Sequence, residues 1–87
     1  MHPAMESKPL RSVAPLDGHR LLLEFSTGER KVFDVAPYIC GSWMGKLADD
    51  AYFRQVRIHP LLPDTVMWPE EQDIAPHELY ALSTPVE

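Results

Sequence analysis

The stretch LRSVAPLDGHRLLLEFSTGERKVFDV, residues 10–35, constrains the fold more than any other part of this chain. It holds three short apolar runs separated by two turn signals. Asp17-Gly18 is a tight-turn pair,. Ser26-Thr27-Gly28-Glu29 is a second turn, in which Gly28 can take a positive φ without a Cβ clash,. Between the turns, Leu21, Leu23 and Phe25 alternate, so all three fall on one face of a strand,. Leu10–Leu16 reads as the strand before, and Pro15, which has no N–H, assigns its end to a sheet edge or a bulge,. Arg30–Val35 reads as the strand after, with Val32 and Phe33 as its apolar centre. Connections this short join strands antiparallel, and the three form a meander.

The rest of the chain reads as short helices and short strands. Asp34 ends the third strand, where its carboxylate can accept hydrogen bonds from the next turn's N–H groups,. Residues 41–56 read as helical material in two pieces. Ser42 is expected to cap the first, through Leu47, and Asp49 or Asp50 the second, which carries Tyr52 and Phe53. Residues 56–60 and 64–69 read as two short strands joined by Leu61-Leu62-Pro63-Asp64. Residues 75–83 read as a helix with Pro76 at its first position and Glu78 reaching back to cap it,. Leu79 and Leu82 would supply its apolar stripe with Tyr80 alongside, and Asp73 would be a second structural cap. These elements predict an α+β fold: a small antiparallel sheet of about five strands with short helices packed on one face. The folded domain is expected over residues 9–82, with a flexible lead-in at 1–8 and a flexible tail at 83–87.

Size and charge exclude several functions. A domain of 87 residues buries only about 60–65% of its unfolded surface, which leaves little room for an enclosed active site. The formal net charge is −5 and the basic residues are scattered, so nucleic acid is an unfavoured partner,. One cysteine, Cys40, makes neither an intrachain disulfide nor a thiolate zinc site,. The lack of disulfide pairing suits a reducing cytoplasm, the expected location. No apolar run nears the ~20 residues that cross a bilayer. The segment MHPAMESKP has neither the basic nor the apolar region of a signal peptide,. There is no Gly-x-Ser-x-Gly elbow and no phosphate-cradling glycine loop,. No cofactor and no membrane partner is expected.

The densest polar stretch, WPEEQDIAPHELY at residues 68–80, invites a catalytic or metal reading. Catalysis would need carboxylates paired in a pocket; Glu70 and Glu71 are adjacent on an expected exposed turn. A metal would have to join Asp73, His77 and Glu70, and neither H-x-x-x-H nor H-E-x-x-H spacing is present,. The histidines at 2, 19, 59 and 77 fall in different elements. Carboxylates near a helix start are explained by its orphan N–H groups and dipole. Two other features point to protein contacts. Tyr38, Trp43 and Met44 flank one loop and are expected to form a sticky patch,. The first strand, centred on Val13, has Arg11 as its one charged guard, so its edge is expected to pair with another chain, giving either a two-fold homodimer or a complex with a partner.

The segments LEFSTGERKVFDVAPYI, KLADDAYFRQV and VMWPEEQDIAPHELY, in this order and spacing, resemble the bacterial family known as domain of unknown function 2442. The match falls on Leu23, Phe25, Gly28, Glu29, Phe33 and Asp34, then Leu47, Phe53 and Val56, then Trp68, Asp73, Ile74, Pro76, Leu79 and Tyr80. The chain departs from the family at the tight turn after the tryptophan, where Gly or Asn is usual and Glu70-Glu71-Gln72 stand here. The resemblance implies a compact α+β domain with no established enzymatic activity. Members are often encoded beside another small protein in a toxin–antitoxin-like arrangement, and some carry a C-terminal helix-turn-helix. None is expected here, since the sequence ends at Glu87. The expected function is a small protein-interaction module, the acidic partner of a more basic small protein encoded nearby. The alternatives are an accessory of a DNA-binding regulator and an enzyme with a shallow site.

Overall fold

In the computed structural model, which describes residues 7–86, the meander is the frame on which the other elements are placed. Strands β1 (Leu10–Leu16), β2 (Arg20–Phe25) and β3 (Arg30–Asp34) are antiparallel neighbours. Gly28 takes φ 94° at the second turn, a conformation a Cβ would disfavour. Residues paired across strands share a face, so the register Val13↔Leu23 and Leu21↔Phe33 collects one apolar face,. Leu21, Leu23, Phe25 and Phe33 are all buried there. Over this face lie two 3₁₀ turns (Ala36–Tyr38 and Met44–Ala48) and helix α1 (Asp50–Phe53), then the ribbon of β4 (Arg57–Ile58) with β5 (Val66–Met67), and helix α2 (Pro76–Ala81). They contribute Leu47, Phe53, Val66, Trp68, Ile74 and Leu79 to the same core. The fold is α+β with a small antiparallel sheet, as expected.

A sixth strand arises inside the expected tail. Strand β6 (Thr84–Pro85) pairs with Lys31 and Val32 of β3, and the four-stranded sheet has the order β1-β2-β3-β6. Two residues, one of them proline, carry no periodicity to announce a strand. Residues 1–6 of the expected lead-in, and Glu87, lie outside the described residues.

Four local expectations fail, each for a physical reason. Val32 and Phe33 are neighbours on a strand and so point to opposite faces. Phe33 is buried and Val32 only half-buried, while Lys31 takes the other inward position. Its Nζ donates to the Tyr80 carbonyl at 2.8 Å and sits 3.9 Å from the Tyr80 ring centroid. A lysine stem can line a core when its ammonium meets a late helix carbonyl and an aromatic face. Leu82 is 64% exposed at the C-cap of α2, and Tyr80 packs inward instead, edge-on to Phe25 at 5.1 Å. Ser42 caps nothing: Trp43 is the residue that precedes the 3₁₀ turn, with no side-chain cap. Glu78 does not reach back, because its Oε1 accepts the Tyr38 hydroxyl. Of the two candidates for α1, Asp49 is the cap, its Oδ1 accepting from the Ala51 N–H at 3.0 Å.

After Trp68 the chain reverses tightly. Glu71 N–H donates to the Trp68 carbonyl, Trp68 N–H to the Gln72 carbonyl, and Met67 bridges Asp73. Closing this turn puts Glu71 at φ 71°, in the left-handed region where a β-carbon costs about 1–2 kcal/mol. Glu71→Gly removes that cost but gives the unfolded chain more freedom, worth about 0.4–1 kcal/mol. The expected net result is a stabilisation of about 0.5–1 kcal/mol. A urea midpoint that stays put or falls would show that Glu71 carries no strain.

Candidate interaction surface

One surface that combines concavity with exposed apolar atoms begins at Asp34. Its Oδ1 accepts from the Ala36 N–H at 3.0 Å, and Pro37 lies in the first turn of the 3₁₀ segment. Tyr38 N–H donates to the Val35 carbonyl at 2.8 Å, which closes the turn. The Tyr38 ring is thereby set 5.5 Å from the Phe33 ring, and its hydroxyl donates to Glu78 Oε1 at 2.7 Å. Phe33, Asp34, Pro37, Tyr38 and Leu82 line a groove of about 340 Å³.

Burial, then the hydrogen bond to Glu78 and its charge, push the Tyr38 phenol up to about 12 from an ordinary 10.0. The proton is held more tightly in the folded state. Its contribution to stability is complete below pH 10 and is lost as pH rises from 10 towards 12,. In an alkaline absorbance titration, a phenolate step near pH 12 is expected in the wild type and should vanish in Tyr38→Phe. A titration curve that keeps that step in the variant would assign it elsewhere.

Removing the Asp34 carboxylate by Asp34→Ala should cost about 0.5–2 kcal/mol, the usual worth of a cap. Asp73 differs. The N-cap of α2 is Ala75 with no side-chain cap, so the capping role expected of Asp73 does not occur. Asp73 is exposed, and Asp73→Ala is expected to stay within about 0.5 kcal/mol of wild type. Equal midpoints for both variants in denaturant melts would refute this distinction.

The patch expected around Tyr38, Trp43 and Met44 is divided between elements. Trp43 is 49% exposed, and its Nε1 donates to the Glu70 carbonyl at 3.0 Å. Lys46 pairs with the Glu70 carboxylate at 2.6 Å, so the Trp43 loop is fastened to the 68–72 turn. Tyr38 is fastened to α2 instead, and Met44 packs half-buried against the core.

At the other side of the sheet, β1 is an edge strand. Arg11 does not guard it: its guanidinium folds back over β2, bonding Glu24 at 3.1 Å and the Ser26 carbonyl at 3.2 Å. Ser26 N–H donates to Pro9 and Val35 N–H to His19. By alternation, even-numbered β2 residues face β1 and odd ones face β3. Ala14 and Leu16 therefore bond inward to Leu22 and Arg20, and Val13 and Pro15 face outward. Pro15 has no N–H to offer, and Leu10 N–H is already taken by the Pro63 carbonyl at 2.7 Å. The edge thus presents a short window centred on Val13.

One exposed feature was treated in the sequence only as a connection. Leu61 is 82% and Leu62 45% exposed at the tip between β4 and β5. Both their N–H groups donate to His59 Nδ1 at 3.1 Å, which fixes the tip. The available signal was two leucines bracketed by Pro60 and Pro63.

A second groove, about 370 Å³, is lined by Gly28, Glu29, Arg30, Lys31, Pro85 and Val86. Its inner charges are engaged by the fold. Hydrogen bonds from Thr27 and then Tyr80 hold the Glu29 carboxyl below its usual value, and Lys31 bonds Tyr80. Among the described residues, no three His, Cys, Asp or Glu side chains are grouped to hold a metal ion. No helix among them is long and apolar enough to cross a membrane. A family model described as Protein of unknown function (DUF2442) matches residues 10–85. Comparison with curated proteins and with solved structures gives no match.

Proposed function

The chain belongs to the DUF2442 family, and on that premise we propose that it is a protein-interaction module, the acidic member of a pair with a more basic small protein. One contrast carries this reading. Among the described residues, every buried side-chain polar atom has a partner inside the fold. Five large apolar side chains among the described residues nevertheless stand exposed: Trp43, Leu61, Leu62, Leu82 and Val86. The interior awaits no ligand, while the surface keeps apolar anchors of the kind that protein interfaces bury. The excess of 13 acidic over 8 basic residues would speed encounter with a basic partner and reject acidic ones. A toxin–antitoxin-like pairing is the arrangement that fits a small domain with this division of roles.

The test starts with a tagged chain expressed in its native host, with captured proteins identified by mass. The leading candidate is then purified alone and titrated calorimetrically into the chain at low and high salt. The expected result is a stoichiometric complex with a net-positive protein, weakening about tenfold or more as salt screens the charges. A chain that binds no purified candidate at either salt would overturn the reading.

A further inference from the structure

We propose that the groove of Phe33, Pro37, Tyr38 and Leu82 is an anchor site for one aliphatic side chain of a protein partner, flanked in that partner by lysine or arginine. This rests on the interaction-module reading and says where and what it binds. At about 340 Å³ the groove lies at the bottom of the range that holds drug-sized ligands, and it suits a side chain better than a cofactor. Its floor is apolar and its shape is set before binding. Asp34 and Pro37 hold the 3₁₀ turn, and the bond from Tyr38 to Glu78 pins the ring. A site set in advance spends less of its binding energy on ordering.

Charge selects the occupant. Asp34 is in the lining, Glu78 stands at the Tyr38 hydroxyl, and no cation is among the lining residues. An apolar side chain next to a basic residue meets both features, whereas acidic neighbours would be repelled. Odd-numbered residues of β2 face β3, so Phe33 and Lys31 bond inward to Leu21 and Leu23,. Even-numbered β3 residues face outward, as the bond from Val86 N–H to the Arg30 carbonyl shows. β6 covers β3 only at Lys31 and Val32. β3 therefore runs on past the β6 pairs to Asp34, where the lining of the groove begins.

The probe is the peptide acetyl-Lys-Lys-Leu-Lys-Lys-amide, titrated into isotope-labelled protein and followed by NMR. Two control peptides replace Leu by Ala, or every Lys by Glu. Saturable shifts at Phe33, Tyr38 and Leu82 are expected with the first peptide. Affinity should fall at least fivefold with either control. Leu82→Lys should abolish the shifts, and because Leu82 is exposed the variant keeps its core. Asp34→Asn keeps an acceptor for the Ala36 N–H but removes the charge, and should weaken binding severalfold. Equal binding of the Leu and Ala peptides, shifts centred on Glu70, Glu71 and Asp73, or no saturable shift would each overturn the anchor site. So would shifts at Leu61 with a doubled mass, which would make a second copy the occupant. If Leu82→Lys binds a purified basic partner as wild type does, the groove is wrong and the module reading stands. If wild type binds no such partner, the module reading itself fails.

Discussion

Trp68→Ala is expected to cost about 3–5 kcal/mol, the range for emptying a large aromatic site. Trp68 is fully buried, tilted against Phe53 at 5.7 Å, and its Nε1 donates to the Phe53 carbonyl at 2.8 Å. Alanine removes the packing and the indole donor, and leaves that carbonyl with only the longer bond from the Val56 N–H at 3.3 Å. A domain of this size has a total stability of only about 4–13 kcal/mol, so the variant should be largely unfolded if wild type lies near the lower end. Trp68→Phe keeps most of the volume and loses the donor, and should cost about 1–2 kcal/mol. Urea melts followed by circular dichroism measure both. A Trp68→Ala midpoint near wild type would mean that the core closes over the gap, contrary to the packing described.

Gln72→Leu is expected to cost about 2–3 kcal/mol, despite similar size and greater hydrophobicity. Gln72 is fully buried beside a turn of exposed glutamates. Its Oε1 accepts the Tyr52 hydroxyl at 2.7 Å, and its Nε2 donates to the Trp43 carbonyl at 2.9 Å. The same Tyr52 oxygen accepts from the Glu70 N–H at 2.9 Å. One amide therefore ties α1, the Trp43 loop and the 68–72 turn together. Leucine leaves the Tyr52 hydroxyl without its acceptor and the Trp43 carbonyl with only the longer bond from the Lys46 N–H at 3.3 Å. Tyr52→Phe breaks the same network from the other side, so the double variant should cost about 1 kcal/mol less than the sum of the singles. Simple additivity would show that the bonds are independent.

The meander was legible because its information is local. Alternation at Leu21, Leu23 and Phe25, with turn residues at fixed offsets, specifies both pairing and face before any distant contact forms,. Asp34 was legible for the same reason, since the N–H that it accepts from is two residues away. The placements that local pattern does not reveal depend on partners far along the chain. Lys31 is inward because Tyr80 offers it a carbonyl and a ring, Gln72 because Tyr52 and Trp43 surround it, and Glu78 is diverted by Tyr38. Asp73 failed as a cap because the tight turn commits its backbone to Met67. At that turn Glu71 holds a conformation that Gly or Asn adopts more easily, so the turn forms without the residue type that makes it easy,. The groove could not be read in advance, because it joins Pro37 and Tyr38 to Leu82 from the far end of the chain.

The two-residue strand β6 implies an order of assembly. The β1–β2–β3 pairs close over short loops, whereas β6 meets β3 across about fifty residues of chain. Short loops close at a lower entropy cost, so the meander is the natural nucleus and β6 a late addition. What docks last through few bonds also opens most easily, without unfolding the rest. In native-state hydrogen exchange, the amide of Val86 should lose protection well before that of Leu23. Equal rates would mean that the sheet opens as one unit. Leu82 lies two residues before this strap, so each opening of the strap also loosens one wall of the groove, and the site would exchange between a formed and an unformed state on a timescale that the strap sets.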